Sequence, residues 1–211
     1  MPATTAAHDR PVDLLLLRHP RVNVAPGLCY GQLDLPAAQP LHPSWQSVAT
    51  QLQTSLHEAG SAPIGQVISS PLQRALALAQ PLATHWGVRL QTDARWQELH
   101  FGQWEGQPWS ALNRAQTEAW TANVHTQAPP GGESRAALLA RVQAALDDAR
   151  RSGAGSVLIV SHAGPLRCAL GVALGLPAEQ VPDVALGFGR LSWLRWHGGA
   201  WPRWSVQAIN R

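Results

Sequence analysis

The sequence predicts an α/β fold, a three-layer α/β/α sandwich around a mostly parallel sheet. Three short apolar segments alternate with segments whose apolar residues recur at helical spacing. The apolar segments are Val12–Leu17, Ile64–Ser69 and Val157–Val160. Continuous apolar runs of this length are typical of parallel strands that helices cover on both faces. The 211 residues suit one domain, and we expect residues 1–211 to form it, with a flexible N-terminal extension over residues 1–11.

Helices are predicted from apolar periodicity and from capping residues. Ser70 should cap the helix after the second strand, with Pro71 at its first position, and Pro81 should kink or end that helix. Ser134 should cap a later helix that ends near Arg150. The remaining predicted elements are helices within 43–59, 108–123 and 166–174, a weak strand at 88–91, and a closing hairpin of 191–196 and 204–209.

The composition argues against a protein that binds nucleic acid or spans a membrane. The chain has sixteen arginines, no lysine and thirteen acidic residues, a formal charge of +3, and no block of consecutive basic residues. No segment approaches the roughly 20 apolar residues that cross a bilayer. The two cysteines lack CxxC spacing, and Met1–Asp13 lacks the apolar core of a signal peptide. We therefore expect a reducing, cytoplasmic location.

Several familiar catalytic motifs are missing from the sequence. There is no GxxxxGK, no GxGxxG after a strand, no GxSxG, no HExxH and no pair of zinc-binding cysteine motifs. We therefore expect neither a metal nor a cofactor. Cys168 lies outside any phosphate-binding cysteine loop and is interpreted as a buried apolar residue.

Cationic and imidazole side chains follow each of the three predicted strands. Arg18 and His19 follow the first strand, Arg74 follows the second, and His162 follows the third. The carboxyl ends of parallel strands meet at one edge of a sheet, where open α/β sheets bind ligands. Two guanidinium groups and two imidazoles at one edge suit a phosphoryl group, because arginine donates paired hydrogen bonds to its oxygens.

The roles of these residues follow from phosphoryl-transfer chemistry. Arg18 and Arg74 would clamp the phosphoryl oxygens, His19 would be the nucleophile, and His162 would be a charged donor to the same group. Each residue alone also has an ordinary interpretation as a core, turn or solvated residue. Their joint occurrence at one predicted edge favours a functional site.

A leaving alkoxide also needs a proton donor. Glu98 is the first candidate and Glu105 the second, although spacing alone does not separate them and Glu105 could be a solvent-facing loop carboxylate. The ten tryptophans are interpreted as packing residues, with a stacking wall for a planar substrate as the alternative.

Four blocks of the sequence resemble the histidine phosphatase superfamily, also called the phosphoglycerate mutase-like family. They are Leu17–His19, Ser69–Ala75, Glu98–Gly106 and Val160–Gly164. The resemblance implies the phosphoglycerate mutase-like fold and a phosphoric monoester hydrolase activity. It also implies that His19 is phosphorylated, that Arg18, Arg74 and His162 hold the phosphoryl group, and that Glu98 is the proton donor.

Two further blocks, Leu28–Pro36 and Gly131–Ser134, are most similar to the α-ribazole phosphatase branch of that family. The resemblance implies a small phosphorylated substrate, α-ribazole 5'-phosphate, and a place in cobalamin biosynthesis. It makes Tyr30 and Gly31 candidate substrate-binding residues. The compact central segment differs from the longer insertion that mutases usually carry.

The sequence departs from the family pattern after the nucleophile. Pro20 stands where the family usually has glycine, and Ala25 stands where many members have a phosphate-contacting asparagine. Asn23 is the candidate substitute for that asparagine. Two alternatives therefore stay open: a phosphoglycerate mutase-like enzyme or broad-specificity phosphatase for sugar phosphates or nucleotides, and a non-catalytic protein that binds phosphorylated ligands.

Overall fold

The computed structural model describes residues 11–198 and 204–211. Its six strands form one sheet in the order β3-β2-β4-β1-β5-β6. The strands are β1 (Val12–Arg18), β2 (Ile64–Ser69), β3 (Arg89–Thr92), β4 (Ser156–Ser161), β5 (Leu191–Trp196) and β6 (Trp204–Ala208). Strands β1 to β4 pair in parallel, whereas β5 and β6 are antiparallel to their neighbours. The mostly parallel sheet and its closing hairpin are as the sequence predicts, although residues 199–203 of the connection lie outside the described residues.

Two helical layers cover the sheet and complete the predicted sandwich. The helices are α1 (Trp45–Glu58), α2 (Gln73–Trp86), α3 (Arg114–Ala122), α4 (Arg135–Arg150) and α5 (Ala163–Ala173). One apolar core joins α1 and α2 to the sheet, and a second joins α4 and α5 to its other face. Ser134 caps α4 as expected, since its side chain accepts a hydrogen bond from the Ala137 N–H. Of the helices that the structure describes, none is long and apolar enough to span a membrane.

Strand β1 shows why the sheet has to lie between two layers. Leu14 and Leu16 belong to the core under α4 and α5, whereas Leu15 and Leu17 belong to the core under α1 and α2. All four leucines are at most 1% exposed. Because side chains alternate along a strand, a continuous run of leucine can be buried only when both faces are covered.

The strand register brings the ends of three strands to one edge. Strand β4 lies between β1 and β2, with Arg18 opposite Ser161 and Ser69 opposite Val160. The residues that directly follow these strands therefore begin at the same level of the sheet.

The start of α2 differs from the prediction. The helix begins at Gln73, after Leu72, so Pro71 lies outside it and Ser70 is not its capping residue. The Ser70 hydroxyl accepts a long hydrogen bond from the Leu72 N–H and lies beside His162. The hydroxyl that resembles a helix cap in the sequence therefore lies in the candidate site.

Pro81 does not end α2, because the helix continues to Trp86. A proline inside a helix removes one backbone hydrogen bond. The neighbours Leu78, Ala79 and Leu82 are fully buried against the sheet. This packing holds the helix across the missing bond.

Candidate active site

His19 lies directly after β1 and is 1% exposed. Its backbone N–H donates to the Ser161 carbonyl, which ties it to the end of β4. Its ring Nδ1 lies 2.6 Å from the Pro20 carbonyl oxygen. A carbonyl can only accept, so Nδ1 carries the proton and Nε2 keeps a free lone pair. Burial, followed by the charge of Arg74, lowers the pKa of His19 to about 3, so the ring is neutral.

His162 follows β4, and the centre of its ring lies 4.9 Å from that of His19. Its Nδ1 accepts from Arg74 Nε at 3.2 Å, and its Nε2 lies 2.8 Å from the Ser70 hydroxyl. Because arginine can only donate, the proton of the neutral ring is on Nε2. Burial, and then the proximity of His19, hold the pKa of His162 well below its usual value. The free site therefore has a neutral donor here, not the charged donor that we expected.

Arg74 has no exposed surface and joins the helical layer to a loop that covers the site. Besides contacting His162, it donates to the Leu33 carbonyl at 2.6 Å and to the Gly31 carbonyl at 2.5 Å. Its guanidinium carbon lies 5.2 Å from the centre of the Tyr30 ring. Burial lowers the pKa of Arg74 from its usual value. Arginine has five N–H donors, so donors remain for a phosphate.

Arg18 packs on an aromatic ring that the sequence analysis missed. Its guanidinium carbon lies 3.9 Å from the centre of the Phe188 ring, and its Nη1 donates to the Leu186 carbonyl. Its buried Nε has no hydrogen-bond partner among the described atoms. The Phe188 ring also lies 5.4 Å from that of His19. Burial lowers the pKa of Arg18.

Glu98 reaches the same edge from the loop before α3. Its carboxylate accepts a hydrogen bond from the Leu99 N–H. It also accepts one, at 3.1 Å, from the N–H of Gly164, which lies in the first turn of α5. A Cβ on Gly164 would lie 2.2 Å from the Glu98 Oε1, so only glycine allows this approach. The negative charge of Glu98 acts on both Arg18 and Arg74. The carboxyl group therefore lies near the two guanidinium groups of the site.

Glu105 has a different position. Its Oε1 accepts from the backbone N–H groups of Gln32 and Phe101, each at 2.9 Å. It is half-buried, not a freely solvated loop carboxylate. Glu105 therefore links two loops through their backbone N–H groups.

An internal ion pair holds the backbone around Glu98. Arg141 of α4 donates to the carbonyls of Arg95, Gln97 and Glu98 at 2.7 to 3.0 Å and is paired with Glu133. Glu133 also accepts from the His100 N–H at 3.0 Å. Glu133 belongs to one of the blocks that resemble the family, whereas no pattern in the sequence marks Arg141.

The three candidate substrate-binding residues have different positions. Tyr30 packs near Arg74, and Gly31 is buried with its carbonyl bonded to Arg74. Asn23 is exposed and makes no side-chain hydrogen bond to another described residue. The structure brings together His19, His162, Arg18, Arg74 and Glu98, but not Asn23.

A cavity of 240 Å³ opens beside Glu98, and we call it the Glu98 cavity. Apolar and aromatic side chains form much of its wall, among them Phe101, Trp120 and Leu138. The centres of the Phe101 and Trp120 rings are 6.0 Å apart. Two cations, Arg135 and Arg167, also line it. Among the described residues, no three His, Cys, Asp or Glu side chains form a group that could hold a metal ion.

Comparison with known proteins gives curated relatives of two kinds. The chain is 31% identical over 195 residues to the bifunctional protein Rv2228c of Mycobacterium tuberculosis, covering 90% of this chain and 52% of the relative. It is 34% identical over 143 residues to the probable phosphoglycerate mutase GpmB of Yersinia pestis, covering 65% of this chain and 66% of the relative. The chain thus spans about half the length of the mycobacterial relative that it matches.

Solved structures share the fold over nearly the whole chain. A protein described as mycobacterial hydrolase 1 has a TM-score of 0.80 at 25% identity, covering 96% of this chain and 99% of the other. Mycobacterial glucosyl-3-phosphoglycerate phosphatase Rv2419c has a TM-score of 0.76 at 25% identity, covering 94% and 98%. The α-ribazole phosphatase of Shigella flexneri has a TM-score of 0.80 at 22% identity, covering 94% and 96%, which shows the fold alone.

The model of the histidine phosphatase superfamily, branch 1, matches residues 14–210, a range that includes every residue of the site described above. The chain therefore belongs to the histidine phosphatase superfamily.

Proposed function

We propose that the protein is a metal-independent phosphomonoesterase that works through a phosphohistidine on His19. The observation that carries the proposal is the neutral His19 ring, whose free Nε2 lies in a site with two arginines and a carboxyl group. A neutral imidazole is a good nucleophile toward phosphorus, and the reaction then needs no metal.

In the first step, His19 Nε2 attacks phosphorus and the bond from phosphorus to the leaving oxygen breaks. Glu98, in its protonated form, gives its proton to that oxygen as the alcohol leaves. Arg18 and Arg74 donate to the phosphoryl oxygens, and the Nε2–H of His162 turns from the Ser70 hydroxyl to the same group. Together these donors balance the charge of the phosphoryl oxygens in the transition state.

In the second step, a water molecule attacks the phosphohistidine. Glu98, now a carboxylate, takes a proton from that water, and the bond from phosphorus to Nε2 breaks. Inorganic phosphate leaves, and His19 and protonated Glu98 are restored.

We further propose α-ribazole 5'-phosphate as the favoured substrate. The Glu98 cavity adjoins the group that would protonate the leaving oxygen, so the leaving group would enter it. A planar benzimidazole would pack against the Phe101 and Trp120 rings, as aromatic groups do in apolar pockets. This use of aromatic residues corresponds to the stacking wall considered for the tryptophans.

A second substrate class is favoured by the cations of the same cavity. Arg135 and Arg167 would bind a polar or anionic leaving group, such as that of a sugar phosphate or nucleotide. Arg135 lies in the first turn of α4, where the helix dipole makes a cation unfavourable. An anionic group bound to Arg135 would offset this unfavourable interaction with the helix dipole.

Turnover of p-nitrophenyl phosphate in the presence of EDTA tests the reaction class. The wild type should hydrolyse it, and His19→Ala should lower kcat at least about 10³-fold because the nucleophile is gone. His57→Ala is the matched control, since His57 is exposed on α1 and lies outside the site. A wild type that binds phosphate without turnover, or a fully active His19→Ala variant, would overturn the proposal in favour of a binding protein or another mechanism.

Comparison of kcat/KM for α-ribazole 5'-phosphate, 3-phosphoglycerate and nucleoside monophosphates tests the substrate. If α-ribazole 5'-phosphate is the favoured substrate, it should have the highest kcat/KM, and Trp120→Ala should lose that activity selectively. A higher value for an anionic or sugar substrate, lost selectively in Arg167→Ala, would support the second class instead.

A further inference from the structure

A second cavity, of 540 Å³, adjoins the candidate active site, and we call it the outer cavity. Phe188 and Arg18 line it, and both also lie close to His19 or to the phosphoryl site. Of the described residues that line it, none is His19, Glu98 or His162. The outer cavity therefore borders the reaction site without containing the groups that react.

Arginine dominates the wall of the outer cavity. Arg18, Arg21 and Arg190 line it beside His42, and none of its described lining residues is acidic. Arg21 and Arg190 are exposed, and within residues 11–198 and 204–211 neither forms an ion pair or a side-chain hydrogen bond. The Arg21 guanidinium carbon lies 5.8 Å from the centre of the Phe188 ring.

Other arginines of this chain are placed differently. Seven of them lie within 4.0 Å of a carboxylate oxygen: Arg95, Arg114, Arg141, Arg150, Arg151, Arg167 and Arg195. Like charges that share a cavity repel one another, and a bound anion would remove that repulsion. The arginines of the outer cavity thus have the arrangement of a site built for an anion.

The beginning of α1 adds donors to the same cavity. Ser47 and Gln51, in the first two turns of this 14-residue helix, line it with polar side chains. The first turn of α1 contains no acidic residue. This part of the wall therefore adds polar side chains and no negative charge to the arginines.

We propose that the outer cavity is a second anion-binding site, for a phosphate or carboxylate group. It communicates with the reaction site through the Arg18 guanidinium, which packs on Phe188 and borders both sites. The anion is either a second anionic group of the substrate or a free anion such as inorganic phosphate. Only this link to turnover rests on the proposed function, because the binding itself does not require catalysis.

The first test counts inorganic phosphate bound per chain, by isothermal titration calorimetry on the intact protein. The wild type should bind two phosphates. The double variant Arg21→Ala/Arg190→Ala should bind one, with the second affinity weakened about 10-fold or more, because two charged donors are lost. Arg21→Lys/Arg190→Lys should keep much of the binding.

The matched control is Arg89→Ala/Arg114→Ala, which removes two exposed arginines outside the outer cavity and should still bind two phosphates. The proposal is overturned if the wild type binds one phosphate per chain and Arg21→Ala/Arg190→Ala retains it, or if that variant binds two. Neither result depends on turnover, so failure of the second site and failure of the phosphatase proposal are distinguishable.

The second test identifies the source of the anion by kinetics. If it is a second group of the substrate, Arg21→Ala/Arg190→Ala should raise KM for fructose 1,6-bisphosphate but not for p-nitrophenyl phosphate. If it is a free anion, the same variant should lose the non-competitive part of phosphate inhibition with both substrates. Identical kinetics of variant and wild type, with both substrates and with phosphate, would contradict the proposed link between the sites.

Discussion

His19 and His162 are two neutral imidazoles packed against arginine in a site with very little solvent. The centres of their rings lie 4.9 Å apart, and Arg74 Nε donates a hydrogen bond to His162 Nδ1. Burial is the main cause of the lowered pKa of each histidine. Pro20 contributes its carbonyl, which fixes the His19 tautomer. The proline therefore keeps one useful backbone group even though its ring removes an N–H donor.

The buried histidines should make the protein less stable in mild acid. In the unfolded chain His19 binds a proton below its usual pKa of 6.5, but the folded site resists protonation down to about pH 3. Acidification from pH 7 to pH 5 should therefore cost roughly 2 kcal/mol of unfolding free energy from His19 alone. Urea unfolding of the wild type and of His19→Gln at both pH values measures this difference.

The His19→Gln variant should lose that part of the pH dependence, whereas His57→Gln, at an exposed position, should retain it. The account is contradicted if the wild type and His19→Gln lose the same unfolding free energy between pH 7 and pH 5.

Glu98→Gln should distinguish substrates by their leaving groups. For alkyl phosphates kcat/KM, which reports the first step, should fall about 10²- to 10⁴-fold because the alkoxide leaves without its proton. For p-nitrophenyl phosphate the fall should be less than about 10-fold, since its leaving group is stable as an anion. Glu105→Gln is the control and should lower both values by one common factor, because Glu105 holds backbone. Equal losses for both substrates in Glu98→Gln would rule out its role as the acid.

Sequence reasoning identified residues that follow strands but missed residues that approach from elsewhere. Arg18, His19 and His162 could be grouped because parallel strands end at one edge. Phe188 and Arg141 reach the site from a turn before β5 and from the face of α4, respectively. Such long-range contacts leave no local pattern in the sequence, so they required the structure.

At the scale of structural elements, the position of the loop of residues 30–33 depends on its polar contacts. Arg74 binds two of its carbonyls, and Glu105 accepts from the Gln32 N–H. Gly31 has a φ of +28°, and a Cβ there would lie 2.3 Å from the Glu105 Oε1. The loop can therefore lie on the site only if residue 31 has no side chain.

Gly31→Ala should displace this loop, lowering both stability and kcat/KM. Gly27→Ala is the matched control, because Gly27 also has a positive φ of +77° but has nothing within 4 Å of its added Cβ. The control should cost about 1 kcal/mol from the backbone conformation. Gly31→Ala should cost at least about 1 kcal/mol more because of the overlap. Urea midpoints and kcat/KM measure both effects, and equal values for the two variants would show that the close contact is unimportant.

Helix α2 shows how far local sequence rules reach. The rule that proline ends a helix fails at Pro81 because the buried residues around it stabilise the helix through tertiary contacts. The rule for serine caps fails at Ser70 but holds at Ser134. The Ser70 hydroxyl lies 2.8 Å from His162 Nε2, so it contacts a residue of the candidate site and does not cap the helix.

For the molecule as a whole, the apolar periodicities predicted the sandwich because burial on both faces of a sheet is a global requirement. The two cysteines are examples of this burial, because Cys29 and Cys168 are both 1% exposed. Burial is the main reason that the pKa of each thiol is raised to about 12. Cys168 is thus a buried apolar residue, as the sequence predicted.

Neither thiol should react with Ellman's reagent in the native protein. At pH 8 the raised pKa leaves about 10³-fold less thiolate than an ordinary cysteine has, and the thiolate is the reacting form. Both thiols should react at once in urea. Rapid labelling without urea would show that the cores open far more readily than the packing indicates.

The proposed mechanism passes through a covalent intermediate, so trapping it is the most direct test. Glu98→Gln, which should slow the second step, is mixed with p-nitrophenyl phosphate, quenched in alkali to preserve phosphohistidine, and mapped by mass spectrometry. The structure predicts one phosphoryl group, on His19, and none after the additional change His19→Ala. A phosphoryl group on His162, or turnover with no phosphorylated histidine, would contradict the mechanism.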